Sequence, residues 1–324
     1  MVNRRSALYA LVALLLVAGA AAAVWKLPSR KAAGVVEYPM LVATDIPTTV
    51  AAAPDGSIWF TIDFGEGVGL VRDGKVQRVP KTGGRNVEPI GLAVDSSGAA
   101  WVTDPAKIAV TRVTEDGQTK SFPLGTPVAR LAGLAVAPDG AVWFAESTAY
   151  SITRLKDGKL DRHEFKSLRG GPYGVTVAPD GTVWATLQSG NQLLRIAPSG
   201  EMTEYDLPTP SAGPTDVAVD KQGGVWLIEF GAGMIAHFLD GKFTEYPLPK
   251  DKGAPSGIAV APDGTVWFGV LRGGALGRLR DGQMSFAPLP RETARPYSVT
   301  TDAAGNVWYA DISGYVGKVP GRAN

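Results

Sequence analysis

The chain of 324 residues has no cysteine and only two histidines. The first absence excludes a disulfide framework, thiolate metal sites, iron–sulfur clusters and a cysteine nucleophile. The second excludes a three-histidine metal centre. An excess of either charge is missing too: 32 basic against 31 acidic residues leave a formal net charge of +1. Five of the basic residues, Arg4, Arg5, Lys26, Arg30 and Lys31, fall in the first 34 positions, which hold no acid, so the remainder carries −4. Without a clustered excess of Lys and Arg to neutralise phosphates, nucleic acid is not an expected partner.

Long uncharged runs are also scarce. The one that stands out, Ser6 to Trp25, follows Arg4-Arg5 and ends in an alanine run. A basic start, an apolar stretch and small residues for cleavage are the layout of a signal peptide. The stretch also reaches the roughly 20 residues that span a bilayer. Residues 1–33 are therefore expected to export the protein to the periplasm or beyond, as a cleaved signal or as an N-terminal membrane anchor. Membrane contact is expected through that segment alone, with residues 34–324 forming one domain.

What the chain has in quantity is glycine (40), proline (24) and a spaced set of tryptophans. Trp59, Trp101, Trp143, Trp184, Trp226, Trp267 and Trp308 recur at intervals of 41 or 42. The surrounding frame repeats as APDGSIWF at 53–60, APDGAVWF at 137–144, APDGTVWA at 178–185 and APDGTVWF at 261–268. Apolar runs on either side of Asp-Gly are a strong hairpin signal. Each copy reads as four short strands, illustrated by Gly257–Val260, Val266–Phe268, Leu276–Leu279 and, one copy earlier, Phe243–Pro247. Four antiparallel strands repeated every ~40 to 45 residues are the mark of a β-propeller blade. The expected fold is all-β, a seven-bladed β-propeller of four-stranded antiparallel blades, with the tryptophans filling the gaps between sheets. The seventh copy lacks an outer strand, whereas residues 35–39 resemble one, so this N-terminal strand is expected to complete the last blade and close the ring. Closure removes exposed edges, which otherwise invite aggregation.

The tryptophans serve as a ruler. Eleven residues before each lie Thr48, Ile90, Ala132, Tyr173, Thr215, Ser256 and Tyr297; three after lie Ile62, Asp104, Glu146, Leu187, Glu229, Val270 and Asp311. Both columns fall at the same end of the blades, where loops converge and propellers collect functional groups. The expectation is that Asp104, Glu146, Glu229 and Asp311 crowd one face, with Glu88 and Asp216 beside them and Arg130, Arg272 and Arg295 as counter-charges. Such carboxylates either bind a hard cation, Mg²⁺ or Ca²⁺, with Glu88 and Asp104 the candidate ligands, or pair with arginines. Neither His237 nor His163 falls in these columns, so neither is placed as a general base.

The frame Pro-x-Gly-[Ile/Val], Asp-Gly-x-Val-Trp-Phe, Gly-Arg-Leu and Glu-Tyr-x-Leu-Pro, seen in Gly171-Pro172-Tyr173-Gly174 and Glu245-Tyr246-Pro247-Leu248-Pro249, resembles the streptogramin B lyases over roughly residues 35–319. That resemblance implies a seven-bladed propeller opening a cyclic depsipeptide by Mg²⁺-assisted elimination. It also implies a histidine at the start of the innermost strand in each of the last two blades, where this chain has Ser256 and Tyr297. A glutamate two residues before the final histidine corresponds to Arg295, and a second glutamate corresponds within a residue to Asp311. Two expectations follow. In the first, the propeller has lost the lyase base and binds a small molecule, peptide or protein on its loop-rich face, as a monomer, with Tyr173, Arg295, Glu146 and Glu229 as ligand contacts. In the second, a Mg²⁺-dependent lyase or hydrolase survives with a rearranged site built on Tyr297, Asp311 and Ser256 or on the Glu88/Asp104 pair.

Overall fold

Asp-Gly turns join strands whose burial follows their distance from the axis. In the blade of Trp184, the second strand Val183–Leu187 is buried at every residue, while the outermost strand Met202–Asp206 alternates exposed and half-buried side chains. A strand covered on both faces has no polar side, and a rim strand covered on one face does. The computed structural model describes residues 34–81, 89–125, 130–165 and 171–321. Within them are seven four-stranded antiparallel sheets, one per tryptophan, numbered here as blades 1 to 7 in the order Trp59 to Trp308. Residues 1–33 and Glu88 lie outside the described residues, and no described helix is long and apolar enough to cross a membrane.

Blades 1 to 6 each take their strands in chain order. Blade 7 combines Pro296–Thr301, Val307–Asp311 and Tyr315–Val319 with Val36–Pro39, whose residues Val36 and Pro39 face Lys318 and Tyr315. The N-terminal strand is chemically locked there. Arg291 donates to both carboxylate oxygens of Glu37 at 2.9 and 3.0 Å, to Asp311 at 2.5 Å and to Ser313 at 2.7 Å. The Tyr309 hydroxyl donates to Glu37 as well, at 2.8 Å.

Seven apolar clusters fill the seven gaps between blades. Trp59 packs with Leu92, Val102 and Val113 of blade 2, Trp143 with Val183, Leu187 and Leu194 of blade 4, and Trp308 with Val50, Phe60 and Val71 of blade 1. Each tryptophan therefore faces the following blade. Two turn chemistries precede it. In the Ala-Pro-Asp-Gly blades the aspartate caps the turn, as Asp139 does by accepting from the Ala141 amide at 2.9 Å. In blades 2, 5 and 7 the aspartate stands at the start of the turn, where Asp95, Asp220 and Asp302 accept from the indole N–H of Trp101, Trp226 and Trp308 at 2.8 to 2.9 Å.

Candidate functional site

Because the innermost strands begin at one end of the axis, their first residues ring an opening. This mouth, about 440 Å³, is lined by Ile46, Thr48, Asp63, Pro89, Ile90, Arg130, Tyr173, Arg295, Tyr297 and Ile312. Beneath it runs an axial channel of about 580 Å³, walled by the inner strands of all seven blades. Ile90, Tyr173 and Tyr297 line both spaces and form the constriction between them. Tyr173 of blade 4 and Tyr297 of blade 7 reach across the axis until their hydroxyls stand 3.4 Å apart. Burial, and then Tyr297 itself, push the Tyr173 phenol well above its ordinary value, so it remains a neutral hydroxyl.

The column one residue further along each inner strand explains how closely the blades approach. It reads Thr49, Gly91, Gly133, Gly174, Asp216, Gly257 and Ser298. A Cβ at Gly174 would stand 2.3 Å from the Thr215 carbonyl oxygen, so only glycine fits there. The side chains that do occur tie one blade to the next. The Thr49 hydroxyl donates to the Ile90 carbonyl at 2.9 Å, the Val50 amide donates to Ser298 Oγ at 3.3 Å, and the Ile258 amide donates to Asp216 at 2.9 Å. Burial raises the Asp216 pKa, against the pull of the Ile258 and Val217 amides.

The structure brings together part of the expected set. Tyr173, Tyr297 and Arg295 meet at the mouth, joined by Arg130. Ser256 lines the channel, but its hydroxyl donates to the Pro296 carbonyl at 2.7 Å and serves as a clasp between blades 6 and 7. The expectation that four carboxylates crowd the axial face is corrected. Asp104, Glu146, Glu229 and Asp311 are each at most 2% exposed, and none lines the mouth or channel. Strand parity is the reason: three residues from the tryptophan a side chain points to the opposite face, into the gap with the preceding blade. There Asp104 pairs with Lys81, Glu146 with Arg162 at 3.0 Å, and Asp311 with Arg291.

Glu229 is the exception. Both its carboxylate oxygens lack a partner, and the acid facing it is Glu245, which accepts from the Thr209 amide and hydroxyl at 3.0 and 2.9 Å. Burial and then Glu245 push the Glu229 pKa up to about 8. In blade 7 the corresponding two acids, Asp311 and Glu37, have Arg291 between them; Thr209 stands at the repeat position of Arg291. Sequence reasoning missed Arg291 and Lys81. Neither cation is marked by the repeat frame: Arg291 stands 17 residues before Trp308 and Lys81 stands 20 before Trp101.

Among the described residues, Asp311 does not suit Mg²⁺. Asp311 Oδ1 accepts from the Arg295 amide and from the amide and hydroxyl of Ser313, and Oδ2 from Arg291, which leaves no oxygen facing open space. Asp104 gives Oδ2 to the Lys81 ammonium and keeps Oδ1 without a partner, and its expected co-ligand Glu88 lies outside the described residues. Among the described residues no three acids or histidines gather as a metal-ligand set. Both histidines lie away from the axis. His237 stacks on Trp226 with ring centroids 3.9 Å apart, and His163 tilts over Trp143 at 5.2 Å.

The virginiamycin B lyase family model matches residues 28–185 and 83–323. A virginiamycin B lyase from Nocardia farcinica is 35% identical over 194 residues, 59% of this chain, and the matched stretch spans 65% of the length of that relative. Among solved structures, selenomethionine-substituted virginiamycin B lyase from Staphylococcus aureus superposes with a TM-score of 0.82 at 25% identity, covering 88% of this chain and 98% of that one. A catalytically inactive histidine-to-alanine variant of the same enzyme with quinupristin gives 0.80, again at 25% identity and with 88% and 98% covered. YCF48 bound to D1 peptide, at 14% identity and a TM-score of 0.69 over 88% of this chain and 96% of that one, shares the fold alone.

Proposed function

We propose, because this chain belongs to the virginiamycin B lyase family, that it is an exported ligand-binding propeller which holds a small molecule at the axial mouth and no longer performs the family's elimination. The observation that carries this reading is the position of the histidines. The chain has two, both are packed on blade tryptophans, and neither lines the mouth or the channel. Elimination beside an ester needs a base that removes a proton from carbon, with reach and a suitable pKa. At the positions the resemblance assigns to that base, Ser256 has committed its hydroxyl to Pro296 and Tyr297 faces Tyr173. A neutral hydroxyl or phenol is a poor base near neutral pH.

The size of the mouth, about 440 Å³, falls in the range of small-molecule sites, roughly 300 to 1,000 Å³. Residues 1–33 belong to the same reading, as a signal or anchor that delivers a monomeric propeller outside the cytoplasm. Calorimetric titration with Mg²⁺ tests it against the rearranged-lyase alternative. The expected result is no saturable heat. Saturable binding lost in Asp311→Ala would overturn the reading in favour of a metal-dependent enzyme.

A further inference from the structure

The axial channel carries a charge that the fold does not need. The position ten residues before each tryptophan is glycine in blades 2, 3, 4 and 6, threonine or serine in blades 1 and 7, and Asp216 in blade 5. Asp216 Oδ2 accepts from the Ile258 amide at 2.9 Å and so clasps blade 5 to blade 6. Ser298 makes the same clasp between blades 7 and 1 with a neutral hydroxyl, accepting from the Val50 amide at 3.3 Å. The clasp therefore accounts for an acceptor at this position and not for a negative charge. Asp216 Oδ1 accepts from the Val217 amide at 2.9 Å, and among the described residues no lysine or arginine pairs with either oxygen. Burial without a cation raises the Asp216 pKa.

Asp216 lines the channel and stands near enough to Tyr173 to add to the rise of that phenol. Among the described residues that wall the channel none is basic, and Asp216 is the one acid. Arg130 and Arg295 line the mouth, across the tyrosine constriction. The channel also has its own opening. Gln188, Phe230 and Leu271, each four residues after the tryptophan of blades 4, 5 and 6, line it, and Gln188 and Phe230 are exposed to solvent. Deeper along the same strands the walls are small and apolar, as at Ala218, Val219, Ala259 and Val260. A carboxylate without a counter-charge in an apolar channel of about 580 Å³ is complementary to one chemistry, a small organic cation. We propose that the axial channel binds a small organic amine with an apolar body, its ammonium on Asp216 and its body against the inner strands. The ammonium supplies the counter-charge that Asp216 lacks and holds the carboxylate ionised. The oxygens of the Tyr173 and Tyr297 hydroxyls, which also line the channel, offer further acceptors. This site lies beyond the mouth and does not depend on the mouth holding a ligand.

The test uses two probes that share an apolar body and differ in charge, 2-phenylethylamine and 2-phenylethanol, each titrated against the protein by saturation-transfer NMR. The amine is expected to bind roughly tenfold more tightly than the alcohol, the worth of one charge-assisted hydrogen bond. Asp216→Asn and Asp216→Ser are each expected to remove that preference. Both keep an acceptor for the Ile258 amide, and Asp216→Ser copies the clasp of Ser298, so the blades stay joined; should one variant fail to fold, the other carries the comparison. Equal binding of amine and alcohol to the parent protein overturns the proposal, and so does binding of neither. A preference that survives the substitution of Asp216 overturns it as well, by placing the amine on acids elsewhere.

Discussion

Glu229 makes stability depend on pH in a direction opposite to that of most carboxylates. Its acid form has a partner in Glu245, and its ionised form would place a second negative charge in a buried space where no described residue supplies a cation. The folded pKa of about 8 stands above the ordinary value of 4.5, so between these limits the folded chain holds a proton that the unfolded chain has released. Stability contributed by this group is complete below about pH 4.5 and falls as pH rises toward 8, by up to ~1.4 kcal/mol per unit, and levels off above. The total is bounded by ~4 to 5 kcal/mol, and relaxation around the pair reduces it. Glu229→Gln keeps an N–H donor for Glu245 and removes the titration. Calorimetric melting of parent and variant at pH 5, 6.5 and 8.5 should give similar values at pH 5. The variant should lead at pH 8.5 by several degrees, at ~2 °C or more per kcal/mol. Asp216, also raised by burial, contributes to both proteins and cancels in the difference. Parallel pH profiles for parent and variant would refute the reasoning. Thr209→Arg, which copies the Arg291 position of blade 7, should likewise flatten the fall.

Two further substitutions follow from the same geometry. Glu37→Ala strips Arg291 and Tyr309 of the acid that holds the N-terminal strand; a loss of about 3 to 5 kcal/mol and a melt lowered by at least 6 °C are expected, and deletion of 34–40 should add aggregation by baring the Tyr315–Val319 edge. An unchanged melt in both would contradict ring closure by this strand. Asp104→Asn leaves the Lys81 ammonium buried without a counter-charge, so denaturant titration should register a loss of about 3 to 5 kcal/mol, with Lys81→Met added to Asp104→Leu recovering much of it. If Asp104→Asn instead proves neutral, the pair is not closed in solution.

Much of the fold was legible because its signals are local. The tryptophan spacing and the Asp-Gly turns depend on residues a few positions apart, and they define blade number and most strands to within a residue or two. The run expected at Gly257–Val260 is Pro255–Val260, and Leu276–Leu279 is Ala275–Arg280. The mouth was half legible. In blades 4 and 7 the residue eleven before the tryptophan faces the axis, so Tyr173 and Tyr297 could be placed from spacing alone, whereas Ala132 at the same position of blade 3 is buried between blades. The carboxylates could not. Asp104, Glu146, Glu229 and Asp311 share an end of the blade with the tyrosines, but parity turns them into the gaps between blades. Their partners arrive from elsewhere: Lys81 is 23 residues before Asp104, and Arg291 is 20 before Asp311. Nothing in the repeat frame marks those connections, because their sequences differ from blade to blade.

The claim that the fold has outlived the family chemistry is tested most directly by incubating the protein with virginiamycin B and Mg²⁺ and weighing the antibiotic. Elimination opens the ring without adding water, so mass alone does not separate substrate from product. Fragmentation does, because one backbone cut leaves a cyclic peptide in one piece and divides a linear one. The account predicts an intact ring after prolonged incubation. A linear product with a dehydrated end, formed by this chain and lost in Tyr297→Phe or Asp311→Asn, would contradict it.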